Sequence, residues 1–212
     1  MDGAALLDRV REDGQTELDR LGSEKALLAA TEARLETDAV LVTAAAVLAE
    51  ASETVASWSD AATGDAAADV LQTAAETLGD ARDRVVAELD DEVSTADIAA
   101  VDVPFLALEA DGDVERVATA AVALPLVLDR LFLQSVSFFV NEADTARADL
   151  FRDLRGATDD VLAAGQDALD AVCEDDADWD RAATAVTGTV DAAYDDYASR
   201  LDAMGFDPKP IC

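Results

Sequence analysis

The sequence predicts an all-α protein, built as an up-down four-helix bundle with an additional short N-terminal helix. Three observations support this prediction. Ala, Leu, Arg and Glu, which favour helices, occur along the whole chain of 212 residues. Apolar residues recur at spacings of three and four in several long segments. Strand signals are nearly absent, because no β-branched run alternates with polar residues.

The predicted helices follow one another in a single domain that spans residues 1–212. The N-terminal helix lies within residues 1–22, and Gly22 stops it. Further helices are predicted at residues 24–58 with a break near Thr37, and at 66–92, 113–155, 157–173 and 178–204. Gly156 ends the helix that starts near Asp113, and Pro125 kinks or restarts it. Residues 93–112 form a long connection across the bundle, and residues 205–212 form an extended tail after Gly205.

The chain carries a formal net charge of −32, from 47 acidic and 15 basic residues. The acidic residues are spread along the chain, and 51% of all residues are hydrophobic, unlike a disordered acidic tail. We interpret this charge as the solvated surface of a halophilic protein in a high-salt cytoplasm. At ~1 M salt the Debye length is about 3 Å, so self-repulsion is screened. The alternative is an acidic face that mimics nucleic acid or binds cations.

The sequence lacks the motifs that are typical of several classes of function. The chain has no histidine, which excludes base catalysis by that residue, and no Gly-rich phosphate loop or Cys-x-x-Cys motif. Arginines alternate with acidic residues, so we expect no direct contact with nucleic acid. The start lacks a signal-peptide pattern. Asp129, Arg130 and Gln134 interrupt the apolar run 122–140, so we expect a cytoplasmic protein that does not span a membrane.

Two predicted helices carry matching apolar stripes. The stripe positions are Leu41, Ala44, Leu48, Ala51, Val55 and Trp58 in the first, and Leu71, Ala74, Leu78, Ala81, Val85 and Leu89 in the second. Such 3-4 spacing is typical of helices that face each other in a bundle. In this phase no carboxylate of either helix points inward.

The stretches "VLAEASETVASW" (47–58) and "AAETLGDARDRVVAEL" (74–89) resemble the first two bundle helices of the rubrerythrin and ferritin-like family. The region from "PLVLDRLFLQSVSFFV" onward and the tail "YASRLDAMGFDPKPIC" resemble a rubrerythrin-like group of halophilic archaea. The resemblance implies a ferritin-like bundle with a di-iron centre held by Glu and His ligands. In register, Leu48 occupies the first Glu position, and Leu78 and Ala81 occupy a Glu-x-x-His pair. These ligands are lost, so the resemblance implies a bundle whose metal site has become core.

Glu142 is the remaining candidate for a metal ligand. It continues the stripe through Leu131, Ser135 and Phe138, a position from which it could face inward as a single ligand or as an acid in a pocket, although we favour the alternative that follows. The alternative is a buried pair with an arginine or a carboxylate in solvent. A lone carboxylate makes a poor iron site.

Other side chains carry weaker signals. Cys212 is either an exposed thiol for redox chemistry or docking, or a small apolar side chain under a folded-back tail. Asp129 and Arg130 are expected to form a buried ion pair with another helix, with a ligand pocket as the alternative. Four carboxylates at helical spacing are expected to be solvated or to bind a divalent cation weakly: Glu50, Glu53, Glu76 and Asp80.

These observations lead to one principal function and two alternatives. The principal prediction is a non-catalytic, metal-free bundle that acts as a structural or interaction protein, with a protein partner or a second copy. The first alternative is a rubrerythrin-like oxidoreductase that uses iron at a degenerate carboxylate site. The second is a transcription-related regulatory protein that acts through protein contacts.

Overall fold

A computed structural model describes residues 1–208, and Cys212 lies outside the described residues. This part of the chain contains helices and no strand, which confirms the all-α prediction. The α-helices are α1 Gly3–Asp13, α2 Gln15–Leu21, α3 Glu24–Ala30, α4 Thr37–Asp60, α5 Asp65–Val86, α6 Thr95–Ala99, α7 Asp113–Ala118, α8 Leu124–Asn141, α9 Thr145–Val172 and α10 Asp176–Ala203. A 3₁₀ turn occupies Pro104–Leu106, and a π-helical turn, Thr119–Ala123, joins α7 to α8.

The N-terminal segment folds differently from the single helix that was predicted for residues 3–20. Gly14 separates α1 from α2, with φ −95° and ψ 17° outside the helical range. The Ser23 side chain makes no cap hydrogen bond to α3, because its hydroxyl donates to the Arg20 carbonyl at 2.7 Å. Two short helices therefore replace the single predicted N-terminal helix, and α3 is the first part of the predicted segment 24–58, which breaks before Thr37 as expected.

Four long helices form the bundle. α4 pairs with α5, α8 pairs with α9, and α5 lies against α9. The Arg84 guanidinium on α5 contacts the Asp153 carboxylate on α9 at 3.0 Å. At the opposite end, Asp113 accepts hydrogen bonds from the backbone N–H groups of Thr63 and Gly64 at 3.0 and 2.9 Å. The connection 87–112 therefore runs the length of the bundle, and α5 and α8 point in the same direction.

The π-helical turn explains how α8 accommodates Pro125. Proline has no N–H to donate, and its ring would clash with the carbonyl of Ala121 in a regular α-helix. The Leu124 N–H instead reaches back to the Thr119 carbonyl, which widens the helix before the proline. The predicted kink or restart at Pro125 is thus a local widening within a continuous helical segment.

The predicted helix boundary at Gly156 is wrong. α8 ends at Asn141, Ala143 takes a left-handed φ of 59°, and α9 then runs unbroken through Gly156. The Asp144 side chain caps α9 by accepting a hydrogen bond from the Arg147 N–H at 3.0 Å. An exposed helical glycine costs only about 0.5–1 kcal/mol, so Gly156 does not stop the helix.

α10 is a fifth long helix, outside the four that form the bundle. It packs against α7, the π-helical turn and the short helices α1 to α3. It ends as predicted before Gly205, whose φ of 80° is left-handed.

Two helical segments within residues 1–208 are long and apolar enough to cross a membrane by length and composition alone, Thr37–Asp60 and Asp113–Asn141. In the folded chain, 61% and 72% of their most apolar windows are buried against other helices. Core helices of soluble proteins pass the same test, so these segments are a weak indication of a membrane span. The expected absence of a membrane span stays a prediction.

Candidate functional site in the bundle interior

The bundle interior is the position at which the family resemblance implies a metal centre. Leu48 on α4 is fully buried, and Leu78 and Ala81 on α5 are 5% and 6% exposed. The inward direction of these three positions, predicted from the apolar stripes, is therefore confirmed. Each side chain ends in methyl groups, so none of the three offers an atom that coordinates a metal.

Aromatic rings from α8 and α9 belong to the same buried core. Phe132, Phe139 and Phe151 are all fully buried. The ring of Phe151 stacks on Phe139 with centroids 5.6 Å apart, and its centroid lies 5.8 Å from that of Phe132. Offset and tilted rings at this spacing attract one another and add to the stability that burial provides.

Two buried hydroxyls near these rings are bonded within their own helices. Ser135 donates to the carbonyl of Leu131 at 3.1 Å, and Thr158 donates to the carbonyl of Arg155 at 2.8 Å. The buried polar residues of the described chain are threonines and serines, without a carboxylate among them. Within residues 1–208, no group of three or more Cys, Asp or Glu side chains is placed to hold a metal ion.

Glu142 does not face inward, and the favoured alternative of a carboxylate in solvent is confirmed. It is exposed and forms the C-cap of α8, where the chain leaves the helix before Ala143. The stripe through Leu131, Ser135 and Phe138 therefore does not continue to this carboxylate, because α8 ends at Asn141. The longer helix predicted up to Gly156 would have kept Glu142 in phase with that stripe.

The four carboxylates at helical spacing are all exposed: Glu50, Glu53, Glu76 and Asp80. Glu76 accepts a hydrogen bond from the side chain of Gln72 at 2.9 Å. Their exposure agrees with the interpretation of a solvated acidic surface.

The predicted ion pair at Asp129 is present, but it is only partly buried. Its carboxylate contacts the Arg155 guanidinium on α9 at 2.7 Å, while Arg130 lies farther away at 3.9 Å. The Asp129 side chain is 20% exposed. The pair ties α8 to α9 at the edge of the bundle, where water still screens the charges.

A partly buried carboxylate that the sequence reasoning missed lies on α10. Burial raises the pKa of Asp196, and the Arg200 guanidinium at 2.8 Å partly offsets this effect. Arg200 also donates to the Asp102 carbonyl at 2.6 Å, which fastens the long connection to α10. The spacing of Asp196 and Arg200, four residues apart on one helix, was the available signal.

Cys173 is partly buried, at the C-terminal end of α9. Burial, with the nearby Asp178 carboxylate, raises its pKa to about 11. The thiol is therefore protonated at neutral pH and is a poor nucleophile there.

The sequence reasoning also missed an open groove between α10 and the connection that precedes α7. Its cavity volume is about 540 Å³, and Pro104, Phe105 and Leu108 line one wall while Gly188 lies on the other. The available signal was a series of small residues on α10 opposite a proline-bearing segment: Thr184, Ala185, Gly188 and Ala192.

Comparison with family models, curated proteins and solved structures yields no match to this chain.

Proposed function

We propose that this chain is a metal-free ferritin-like bundle that acts as a structural or interaction protein in a high-salt cytoplasm. The connectivity supports the fold part of this proposal. Two antiparallel helix pairs, α4 with α5 and α8 with α9, are joined by the long connection 87–112. One long crossover of this kind occurs in ferritin-like folds, whereas simple up-down bundles have short loops.

The observation that carries the proposal is the apolar filling of the interior. Leu48, Leu78 and Ala81 stand at the positions that the resemblance assigns to ligands, and all three are buried. Converting such an interior into an iron site would require carboxylates inside the bundle, and an unpaired buried charge is strongly unfavourable. We infer that the bundle is retained for its shape and surface and that its role depends on protein contacts.

The charge of the surface supports the proposed environment. Exposed helical positions are rich in Asp and Glu, and ion pairs such as Arg82 with Asp83 and Arg152 with Asp149 are largely exposed. Pairs of this kind contribute little to stability, about 0–1 kcal/mol each, and salt screens them. We therefore expect the fold to be more stable in molar KCl, where the repulsion that accompanies the net charge of −32 is weakest.

Metal content is the test of the metal-free proposal. The protein is purified in molar KCl without a metal-binding tag, and iron, manganese and zinc are measured by mass spectrometry before and after incubation with ferrous iron. We expect much less than one metal ion per chain in both samples. One or two tightly held irons per chain would overturn the proposal in favour of a rubrerythrin-like oxidoreductase.

The interaction part has its own test, because an empty bundle need not bind a partner. The molar mass in molar KCl, measured by light scattering over a range of concentrations, reports self-association. The same protein, immobilised through an engineered N-terminal tag, is incubated with cytoplasmic extract in molar KCl. We expect the chain either to retain a partner protein in a stoichiometric amount or to associate with a second copy of itself, and we expect a metal chelator to leave this association intact. A monomer that retains no protein in a stoichiometric amount would contradict the interaction part of the proposal.

A further inference from the structure

The groove between α10 and the segment 104–111 has the size of a small-molecule site. Its volume of about 540 Å³ falls within the roughly 300–1,000 Å³ that is typical of such sites. Phe105 and Leu108 provide an apolar wall, and both are partly buried against the core. A ligand with an apolar body would therefore bury surface on both sides of the groove.

Small residues on α10 leave this space open. A Cβ atom added at Gly188 would meet no heavy atom within 4 Å, although the glycine lies in the middle of a helix of 28 residues. Mid-helix glycine lowers helix stability, so the open space has a cost that alanine would avoid. The neighbouring positions Ala185 and Ala192 also present only methyl groups to the groove.

Thr119 lines the same groove with a hydroxyl that has no protein partner within residues 1–208. Thr119 is only 3% exposed and opens the π-helical turn, where its carbonyl accepts the Leu124 N–H. Within the described residues 1–208, its own hydroxyl makes no hydrogen bond. Two neighbouring hydroxyls differ, because Thr184 and Thr189 donate to the carbonyls of Asp180 and Ala185. The Thr119 oxygen is not fully enclosed, since the enclosed unpaired side-chain atoms of the described residues belong to Arg116 and Arg147. The groove is therefore where water or a ligand atom can pair with this hydroxyl.

The charged side chains at the rim of the groove indicate whether a bound ligand would be a cation or an anion. Arg181 lines the rim, but its guanidinium already contacts the Glu115 and Asp178 carboxylates at 2.8 Å each. Glu109 and Asp111 line the same rim. Glu115 lies one helical turn from Thr119, so its carboxylate and the free hydroxyl are on one side of the groove. This arrangement favours a cation and disfavours an anion.

We propose that the groove binds a small cationic amphiphile, an amine with an aromatic or short alkyl body. The ammonium group lies at the carboxylate rim and donates to the Thr119 hydroxyl. The apolar body lies between Phe105 and the small residues of α10. This site is separate from the bundle interior and does not depend on the proposed structural role.

Two naphthalene compounds with opposite charges test the proposal. Binding of 1-naphthylmethylamine and of 1-naphthylacetate to the full chain is measured by titration calorimetry in 1 M KCl. We expect the amine to bind at least tenfold more tightly than the acid. Equal affinities, tighter binding of the acid, or no binding of the amine would overturn the proposal.

Variants of two glycines locate the binding. Gly188→Leu fills the groove, while Gly156→Leu places the same side chain on α9, where the added Cβ also meets nothing within 4 Å. We expect Gly188→Leu to lower the affinity for the amine at least tenfold and Gly156→Leu to leave it unchanged. Thermal melting followed by circular dichroism checks that both variants fold. If Gly188→Leu is unstable, Ala192→Leu serves as the second blocking variant.

Replacement of the free hydroxyl completes the test. Thr119→Val keeps the shape of the side chain and removes the hydroxyl, so we expect a three- to tenfold loss of amine affinity. Thr184→Val is the matched control, because its hydroxyl already bonds within α10. Equal affinities of both variants and the parent chain would overturn the role of Thr119, and unchanged binding in the blocking variants would overturn the site itself.

Discussion

The bundle interior is closely packed, whereas the groove beside α10 in the same chain leaves space open. In the interior, α9 approaches the π-helical turn so closely that a Cβ atom at Gly165 would lie 2.3 Å from the carbonyl oxygen of Ala121. In the groove, a Cβ atom at Gly188 would meet nothing within 4 Å. One glycine thus permits contact between helices, and the other leaves open space.

The difference shows where this protein can accommodate another molecule. The interior has close packing of the kind that protein cores share with organic crystals, and Phe132 and Phe151 contribute large rings to it. Only the family resemblance implies a metal site in the bundle interior. The groove is lined instead by small side chains and by the connecting segment 104–111. Just before this segment, the Arg200 guanidinium donates a hydrogen bond to the Asp102 carbonyl and so fastens the connection to α10.

The largest expected effect comes from Leu78→Glu, which places a carboxylate in the interior. We expect a loss of roughly 3–5 kcal/mol in the free energy of unfolding, because the charge has no partner there. Thr73→Glu, at an exposed position of the same helix, is the control and should change stability by less than about 0.5 kcal/mol. Urea denaturation in molar KCl measures both. Equal stabilities would mean that position 78 does not face the interior.

A second pair of variants sharpens the contrast between tight and open glycines. Gly165→Ala should destabilise the fold by about 1–3 kcal/mol, since its Cβ would press on the backbone of Ala121. Gly156→Ala on the same helix meets open space and should stabilise the fold by about 0.5–1 kcal/mol. Thermal unfolding of the two variants should therefore shift in opposite directions, and shifts of the same sign would contradict the close approach at Gly165.

A smaller effect concerns the turn that joins α8 to α9. Asp144→Ala removes the cap of α9 and should cost about 1 kcal/mol near neutral pH, as measured by urea denaturation. Asp144→Asn still caps the helix, so it should remain close to the parent chain in stability.

The same turn predicts a pH dependence. The hydrogen bond from the Arg147 backbone N–H, with the Arg147 guanidinium, holds the pKa of Asp144 below its usual value of 3.8. The stabilisation is therefore fully present above about pH 4 and is lost as the pH falls through the lower value in the folded chain. Because Asn does not titrate, Asp144→Asn should lose less stability than the parent chain below about pH 4. Parallel acid profiles would contradict this assignment.

The smallest effect is expected at Cys173, near the end of the groove. Its pKa of about 11 leaves little thiolate at pH 8. In a Cys212→Ser variant, which keeps a single thiol, alkylation by iodoacetamide should be at least tenfold slower in the folded than in the urea-unfolded chain. Equal rates would show that burial does not protect this thiol.

Local patterns predicted much of the fold and part of the candidate site. The apolar periodicity placed Leu48, Leu78 and Ala81 inside, because the phase of a regular helix extends reliably over several turns. The helix stop at Gly205 was also predictable, since a left-handed residue after a helix favours glycine. The helix ends around Glu142 were not, because Ala143 adopts its left-handed conformation without a glycine signal.

The sequence by itself determined the helical class, the apolar faces of α4 and α5, and the acidic surface, since these depend on composition and on spacing within one helix. The tertiary structure decided the rest. The exposure of Glu142, the fifth helix beside the bundle and the groove at Gly188 depend on how separate helices meet. Contacts between residues far apart in the chain set those positions, and no local pattern records them.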